Sequence, residues 1–375
     1  MCSGNVRANF SNTRNIDEPT HFDRLNDEVF LGTLLGVSSY LGHDLVQDII
    51  ASRPDDFNQY GVFTCRFYVE GEWVDVITDT RIPCILDSIS STCSPAYGKS
   101  LHKDEMWICL VEKAYAKAVG SYESLQKVRV NEALLHLTGG SVQSFLLQDE
   151  LKQDQGAYNM WKLFKNSLAN DTLILCLPIA NESAENASNN NNNSNTNNST
   201  TSASHEEGEK KTDNESISIQ DEGIMQCRLY SVLAYKEVGS HNLVMLHNPW
   251  GNKNEWLGDW NENSIKWDDF PEVYRAVISD PRIIWRRNNP QGFLWMSFPE
   301  FLDTFNHVYL CKIFGNNKFK YYCVKGEWRD KIAGGPMYTV ADKEETFAAA
   351  AESVKKADAK VTLTDITYCL SLSVN

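Results

Sequence analysis

The most constraining feature of this 375-residue chain is the segment at residues 243–260, which reads LVMLHNPWGNKNEWLGDW. Its first part carries apolar side chains on both faces, which predicts a buried β-strand. The strand ends at Asn-Pro-Trp-Gly, where proline removes a backbone donor and glycine permits dihedral angles that other residues avoid. We therefore expect this strand to deliver Asn248 and Trp250 to a turn with a chemical role.

Three other blocks carry recognisable patterns. Residues 61–81 read GVFTCRFYVEGEWVDVITDTR, residues 110–125 read LVEKAYAKAVGSYESL with LTGG following at 137–140, and residues 326–335 read GEWRDKIAGG. Together with NPWG and EWLGDW, these blocks resemble the calpain family of cysteine proteases in the same order along the chain. The resemblance implies an α+β fold, with a two-lobed papain-like protease core followed by a β-sandwich.

The sequence divides into four segments under this interpretation. They are a polar flexible tail (1–20), a helical core lobe (21–150), a β-rich core lobe (151–318) and a truncated part of the sandwich (319–375). Residues 181–219 form an insert rich in Asn, Ser, Thr and Glu. Such a composition cannot bury enough apolar surface to offset its ordering entropy, so we expect a disordered excursion from the β-rich lobe.

Apolar periodicity predicts the main elements of the core. The predicted helices are 27–40, a helix from 105, 159–168 and a short one around 298–305; the predicted strands are 61–69, 72–78, 173–178, 228–237 and 243–248.

The nucleophile position of the family is altered in this chain. The resemblance implies a GDCWxLA segment about thirty residues before the 61–69 strand, with cysteine at a helix N-terminus. Here Asp-Glu-Val-Phe-Leu fills that place, so Val29 stands at the nucleophile position, or Glu28 if the register moves by one. The same alignment puts Asp23 where a glutamine helps to bind the oxyanion, and a negative charge there would repel the developing charge.

The general-base position is altered as well. The resemblance implies a GHAYSV segment before NPWG, whereas this chain reads CRLYSV at 227–232, which places Arg228 at the histidine position. A guanidinium stays protonated near neutral pH and cannot accept a proton. Asn248 is retained where the family asparagine orients the imidazole, and Trp250 stands where a tryptophan shields that hydrogen bond.

Two other histidines leave an alternative open, a catalytic Cys–His pair at displaced positions. His247 precedes Asn248 directly, so the two side chains should point to opposite faces of the strand. His241 follows Gly239-Ser240 in a predicted hairpin loop. The simpler interpretation is that both are surface or hydrogen-bonded structural histidines.

Calcium is the cofactor that the resemblance implies, through carboxylates and backbone carbonyls in each half of the core. Glu28, Glu255 and Glu262 match acidic positions of the family. Asn288-Asn289-Pro290-Gln291 replaces the acidic turn that should complete the second site. The sequence therefore assigns no definite cofactor; calcium is the candidate, and we expect its sites to be weakened.

Composition excludes several classes of partner and environment. The formal net charge of −15 argues against binding to nucleic acid or anionic membranes. The sequence contains no run of eighteen apolar residues, so it predicts no transmembrane helix. The ten cysteines lack CxxC spacing and lie mostly in apolar runs, which is typical of free thiols in a reducing, cytoplasmic environment.

The sequence thus predicts a catalytically inactive calpain-like protein that acts as an interaction or regulatory module. Its expected partners are protein or peptide segments in the groove between the lobes, other calpain-like subunits or the cytoskeleton. The alternative hypothesis is a calcium-dependent cysteine endopeptidase with displaced catalytic residues.

Overall fold

The computed structural model describes residues 28–42, 44–86, 93–100, 105–179, 223–225, 228–249, 256–283, 285–287 and 292–314. The predicted tail (1–20), insert (181–219) and partial sandwich (319–375) lie outside these residues. Asp23, Trp250, Glu255 and the turn at 288–291 lie outside them as well.

The first part of the described chain is rich in helices. Its elements are α1 (Glu28–Ser38), α2 (Leu45–Ile49), α3 (Pro54–Gln59), β1 (Val62–Val69), β2 (Glu72–Asp79), β3 (Cys84–Leu86), β4 (Cys93–Pro95), α4 (Trp107–Val119), a 3-10 helix (Glu123–Lys127) and α5 (Val130–Thr138). Helix α1 is buried at every position from Phe30 to Val37. A helix that is apolar all round has to lie inside the fold, and α1 does so.

Strands β1 and β2 form the predicted antiparallel hairpin, with Val62 opposite Asp79 and Val69 opposite Glu72. The two turn residues, Glu70 and Gly71, have φ angles of 51° and 84°. Positive φ at both central residues is the geometry that suits the right-handed twist of a two-residue hairpin. The predicted strands 61–69 and 72–78 are therefore confirmed.

Two lysines of α4 cover the free edge of β2. Lys117 Nζ donates to the carbonyl oxygen of Ile77 at 2.6 Å, and Lys113 Nζ donates to that of Asp79 at 3.1 Å. Lys113 also donates to the Asp79 carboxylate and to the carbonyl oxygen of Arg81. The hydrogen bond from Lys113 lowers the pKa of Asp79. Helix α4 thus satisfies backbone acceptors that the two-stranded sheet leaves unpaired.

The second part of the described chain is built on a six-stranded antiparallel sheet in the order β5-β10-β6-β7-β8-β9. Its elements are β5 (Ser141–Leu146), α6 (Leu147–Leu151), α7 (Gly156–Ala169), β6 (Thr172–Pro178), β7 (Tyr230–Val238), β8 (His241–His247), α8 (Lys266–Asp269), α9 (Pro271–Ile278), β9 (Phe293–Ser297), α10 (Phe298–Thr304) and β10 (Phe305–Lys312). Strand β5 falls in the segment assigned to the helical lobe, yet it pairs with β10 in this sheet. None of the described helices is long and apolar enough to cross a membrane.

Helix α1 packs directly on the sheet, and Gly36 makes the approach possible. A Cβ atom at residue 36 would lie 2.4 Å from Cδ2 of Leu175, which is fully buried on β6. Leu175 and Leu229 belong to the same apolar cluster as Phe30 and Leu34. The two parts of the described chain therefore share one core across this contact.

This close approach predicts that Gly36→Ala changes the free energy of unfolding in opposite directions, depending on whether residue 175 is leucine or alanine. Gly36→Ala should destabilise the chain by about 1 kcal/mol, because overpacking exceeds the gain of about 1 kcal/mol in helix propensity. In a Leu175→Ala background the clash is gone, so the same substitution should be stabilising. Urea unfolding of the wild type, the two single variants and the double variant measures both effects. An equal effect of Gly36→Ala in the two backgrounds would contradict the contact.

Candidate functional site

The candidate site begins at the N-terminus of α1. Glu28 is the first residue of the helix, and its carboxylate gains from the positive end of the helix dipole. Val29 follows, half-buried against the apolar cluster around Phe30. The side chain at this position is aliphatic, so it offers no atom for proton transfer or nucleophilic attack.

Arg228 lies opposite this helix end, just before β7. Its Nη1 atom is 2.9 Å from Oε1 of Glu28, and its side chain is 1% exposed whereas that of Glu28 is 36% exposed. The carboxylate of Glu28 thus faces the guanidinium of Arg228. The ion pair joins the first helix of the chain to the approach of a strand in the six-stranded sheet.

Asn248 directly follows β8 and is 1% exposed. Its backbone N–H donates to the carbonyl oxygen of Gly292 at 2.8 Å. Gly292 has a φ of +77°, and a Cβ there would lie 2.8 Å from the carbonyl oxygen of Asn248. The retained asparagine is thus fixed by its backbone against the turn residue that directly precedes β9, where only a residue without a side chain fits.

His247 is part of a second buried contact between the two parts of the chain. Its Nδ1 atom lies 3.0 Å from Oγ of Ser39, and Ser39 donates its own hydrogen to the carbonyl oxygen of Leu35 at 2.8 Å. With that hydrogen committed, the serine oxygen accepts from the Nδ1–H tautomer of the imidazole. The ring also stacks on Phe293, with centroids 4.6 Å apart. His247 is therefore a satisfied structural histidine, as the simpler interpretation predicted.

His241 begins β8 at the Gly239-Ser240 turn and lies away from the α1 N-terminus. Its ring centroid is 5.3 Å from that of Trp260 and 4.3 Å from that of Phe270. It packs in an aromatic group at the far end of the strand.

The described cysteines are of two kinds. Cys65, Cys109, Cys176 and Cys311 are buried, whereas Cys84 and Cys93 are exposed on β3 and β4. Burial raises the pKa of all four buried thiols, that of Cys311 to about 12. A thiol with a raised pKa is protonated at neutral pH and is a poor nucleophile.

The candidate calcium ligands are dispersed or already engaged. Glu28 pairs with Arg228, and Glu262 lies in the loop after Trp260, half-buried. Within the described ranges, no group of three or more His, Cys, Asp or Glu residues could hold a metal ion. Glu255 and the 288–291 turn fall outside those ranges.

The described chain has an α+β core, in which Asn248 follows a buried strand of the sheet and Glu28 and Arg228 pair at the start of a buried helix. Comparison with known proteins gives the family. The profile described as "Calpain family cysteine protease" matches residues 26–312. The chain therefore belongs to the calpain family.

This chain covers only a part of the relatives to which it is similar, as three of them show. It is 30% identical over 281 residues to "Calpain-type cysteine protease DEK1" of Arabidopsis thaliana, an alignment that covers 75% of this chain and 11% of the relative. It is 28% identical over 298 residues to "Calpain-A" of Drosophila melanogaster, covering 76% and 31%. It is 28% identical over 290 residues to "Calpain-2 catalytic subunit" of Homo sapiens, covering 74% and 34%. The chain thus spans about a tenth to a third of the length of these relatives.

The pairing of Glu28 with a buried guanidinium predicts a measurable effect on stability for a small substitution. Glu28→Gln keeps the side-chain size but removes the charge that balances a buried guanidinium, so we expect a loss of about 1–3 kcal/mol in the free energy of unfolding. The matched control is Asp149→Asn, whose carboxylate pairs with Lys152 on the surface at 2.9 Å. That change should stay below about 0.5 kcal/mol. Similar small losses in both variants would contradict a stabilising role for the buried pair.

Proposed function

We propose that this member of the calpain family is catalytically inactive and acts as an intracellular protein-interaction or regulatory module. Protein or peptide segments would bind in the groove between the two lobes of its papain-like core. The observation that supports this proposal is the ion pair between Glu28 and Arg228. It lies at the helix N-terminus where the family resemblance places the nucleophile and its base.

The chemistry of acyl transfer argues for inactivity at this position. The reaction needs a nucleophile that a neighbouring base can activate. Val29 supplies no nucleophile, and the guanidinium of Arg228 does not release its proton at physiological pH. Asp23, at the predicted oxyanion position, would oppose the negative charge that develops on the substrate.

The charges of the site favour a structural role instead. A negative group at the positive end of α1 faces a positive group from the β7 side, the same order of charges that a thiolate and an imidazolium would have. The pair is therefore suited to hold the two lobes together around a bound segment.

A cysteine endopeptidase with displaced residues remains the competing hypothesis. It needs an accessible thiol beside an imidazole. Of the described thiols, the four buried ones have raised pKa values, and the two exposed ones, Cys84 and Cys93, lie on β3 and β4. The imidazole next to Asn248 is engaged with Ser39. These observations favour the inactive module.

Inactivity can be tested with a restoration series. The wild-type chain should neither cleave casein nor react with thiol-directed protease inhibitors, with or without calcium. The Val29→Cys/Arg228→His variant should be labelled at residue 29, but its cleavage rate should stay about 10²–10³-fold low until Asp23→Gln is added, because an oxyanion donor is missing. Calcium-stimulated cleavage by the wild type that disappears when one of its ten cysteines is changed to Ala would contradict the proposal.

Binding in the groove gives a separate prediction. The wild-type chain should bind fluorescently labelled, unfolded casein without cutting it. Val29→Trp puts a bulky side chain on the groove floor, so we expect about a tenfold weaker affinity, which is about 1.4 kcal/mol. The control is Val62→Trp on the exposed face of β1, which should leave the affinity unchanged. Fluorescence anisotropy measures both, and equal affinities in the two variants would place the binding surface elsewhere.

A further inference from the structure

Arg287 holds the loop between β8 and α8 through four hydrogen bonds. Its Nε atom donates to the carbonyl oxygen of Glu262 at 2.8 Å, and Nη2 donates to that of Ser264 at 3.3 Å. The same guanidinium donates to both carboxylate oxygens of Asp268, with Nη1–Oδ1 at 2.8 Å and Nη2–Oδ2 at 3.1 Å. The planar guanidinium of Arg287 thus binds two backbone carbonyl oxygens and one carboxylate.

Side chains of the loop itself satisfy further backbone carbonyls. Asn261 Nδ2 donates to the carbonyl oxygens of Leu257 and Gly258, at 3.1 and 2.7 Å. Trp256 Nε1 donates to the carbonyl oxygen of Asp259 at 2.6 Å. These three consecutive carbonyls therefore already have N–H partners.

The carbonyl oxygen of Asn261 and the carboxylate of Asp259 are engaged as well. Trp267 Nε1 donates to the carbonyl oxygen of Asn261 at 2.7 Å. Lys266 forms an ion pair with the carboxylate of Asp259. The ring of Trp267 packs on Trp260 and Trp285, with centroids 4.9 and 5.0 Å apart, so these polar contacts rest on a buried aromatic group.

This arrangement does not fit the calcium ion that the family resemblance implies at Glu262. Calcium requires six to eight oxygen ligands, supplied largely by carboxylates and carbonyl groups. Around Glu262, the carboxylates of Asp259 and Asp268 face cationic side chains. Side-chain N–H groups bind the carbonyl oxygens of Leu257, Gly258, Asp259, Asn261, Glu262 and Ser264. A dication would have to displace those cations and their hydrogen bonds.

We propose that Arg287 is the internal cation of this loop, so that residues 256–268 keep their conformation without calcium. The guanidinium supplies the positive charge and the directed contacts that organise the carbonyls, and its bidentate bond fixes the position of Asp268. In agreement, the hydrogen bond from Arg287 lowers the pKa of Asp268. The inference goes beyond the proposed function, because it would hold equally for an active protease.

Hydrogen exchange of the full chain, followed by mass spectrometry on peptides covering 261–268, tests the proposal. In the wild type, exchange in EGTA and in about 1 mM CaCl₂ should agree within about twofold, because that concentration exceeds the range of sensor sites. Arg287→Met should raise the exchange rate in these peptides about tenfold, since bonds from a charged donor are lost. The control is Arg282→Met, an exposed arginine that pairs with Asp280 outside the loop; its 261–268 peptides should exchange as in the wild type.

Two results would overturn the proposal. One is a calcium-induced slowing of more than about twofold in the wild type, and the other is an Arg287→Met variant whose exchange stays within about twofold of the wild type. If Arg287→Met unfolds the whole chain, peptides from residues 62–79 will exchange faster too. Asp268→Asn then replaces it, and at least about threefold faster exchange at 261–268 is expected from the lost charge-assisted pair. Protease assays do not enter this test, so its failure and that of the proposed inactivity are distinguishable.

Discussion

The fold depends on enclosing a helix that has no polar side. Every residue of α1 from Phe30 to Val37 is buried, so hairpin, helices and sheet have to surround it completely. The sheet can reach it only because residue 36 is glycine, which lets Leu175 occupy the space of a side chain. The packing of α1 fixes the position of its N-terminus, and Glu28 therefore lies next to Arg228. The geometry of the candidate site is therefore a consequence of core packing, and it does not require that the residues retain any catalytic chemistry.

Two arginines contribute to the structure in different ways. Arg228 is buried and pairs with the half-exposed carboxylate of Glu28, so the desolvation of its charge offsets much of the attraction. Removing the carboxylate alone is costly, because it leaves the buried guanidinium without this balancing charge. Arg287 is less buried and has four acceptors, so its contribution lies in directed hydrogen bonds that organise a loop. Arg228 stands where the family resemblance implies a histidine, and Arg287 binds the loop that holds Glu262, an acidic position of the family. Permanent side-chain charges at such positions can preserve a fold after its chemistry has changed.

Local patterns in the sequence predicted the elements that they encode directly. The β1–β2 hairpin follows from alternating apolar residues around Glu-Gly, and α4 follows from its apolar stripe at helical spacing. Strands β5 and β10 were not predicted, because their pairing joins Ser141 to Lys312 and depends on contacts far apart in the chain. The same reason explains the site: the sequence singled out Glu28 and Arg228 separately, and only the packing of α1 on the sheet brings the two side chains together. The contact between Ser39 and His247, 208 residues apart, left no local signal at all.

The two lysines on α4 also determine how extended chains can approach the molecule. An unpaired strand edge is a template on which another polypeptide can add itself through backbone hydrogen bonds. At β2, Lys113 and Lys117 already occupy the carbonyl oxygens of Asp79 and Ile77, and they carry charge to the same edge. A passing strand would have to remove both ammonium groups before its own N–H groups could bond. The hairpin is thereby protected from intermolecular β-sheet growth, and self-association through this edge is disfavoured during folding as well as afterwards.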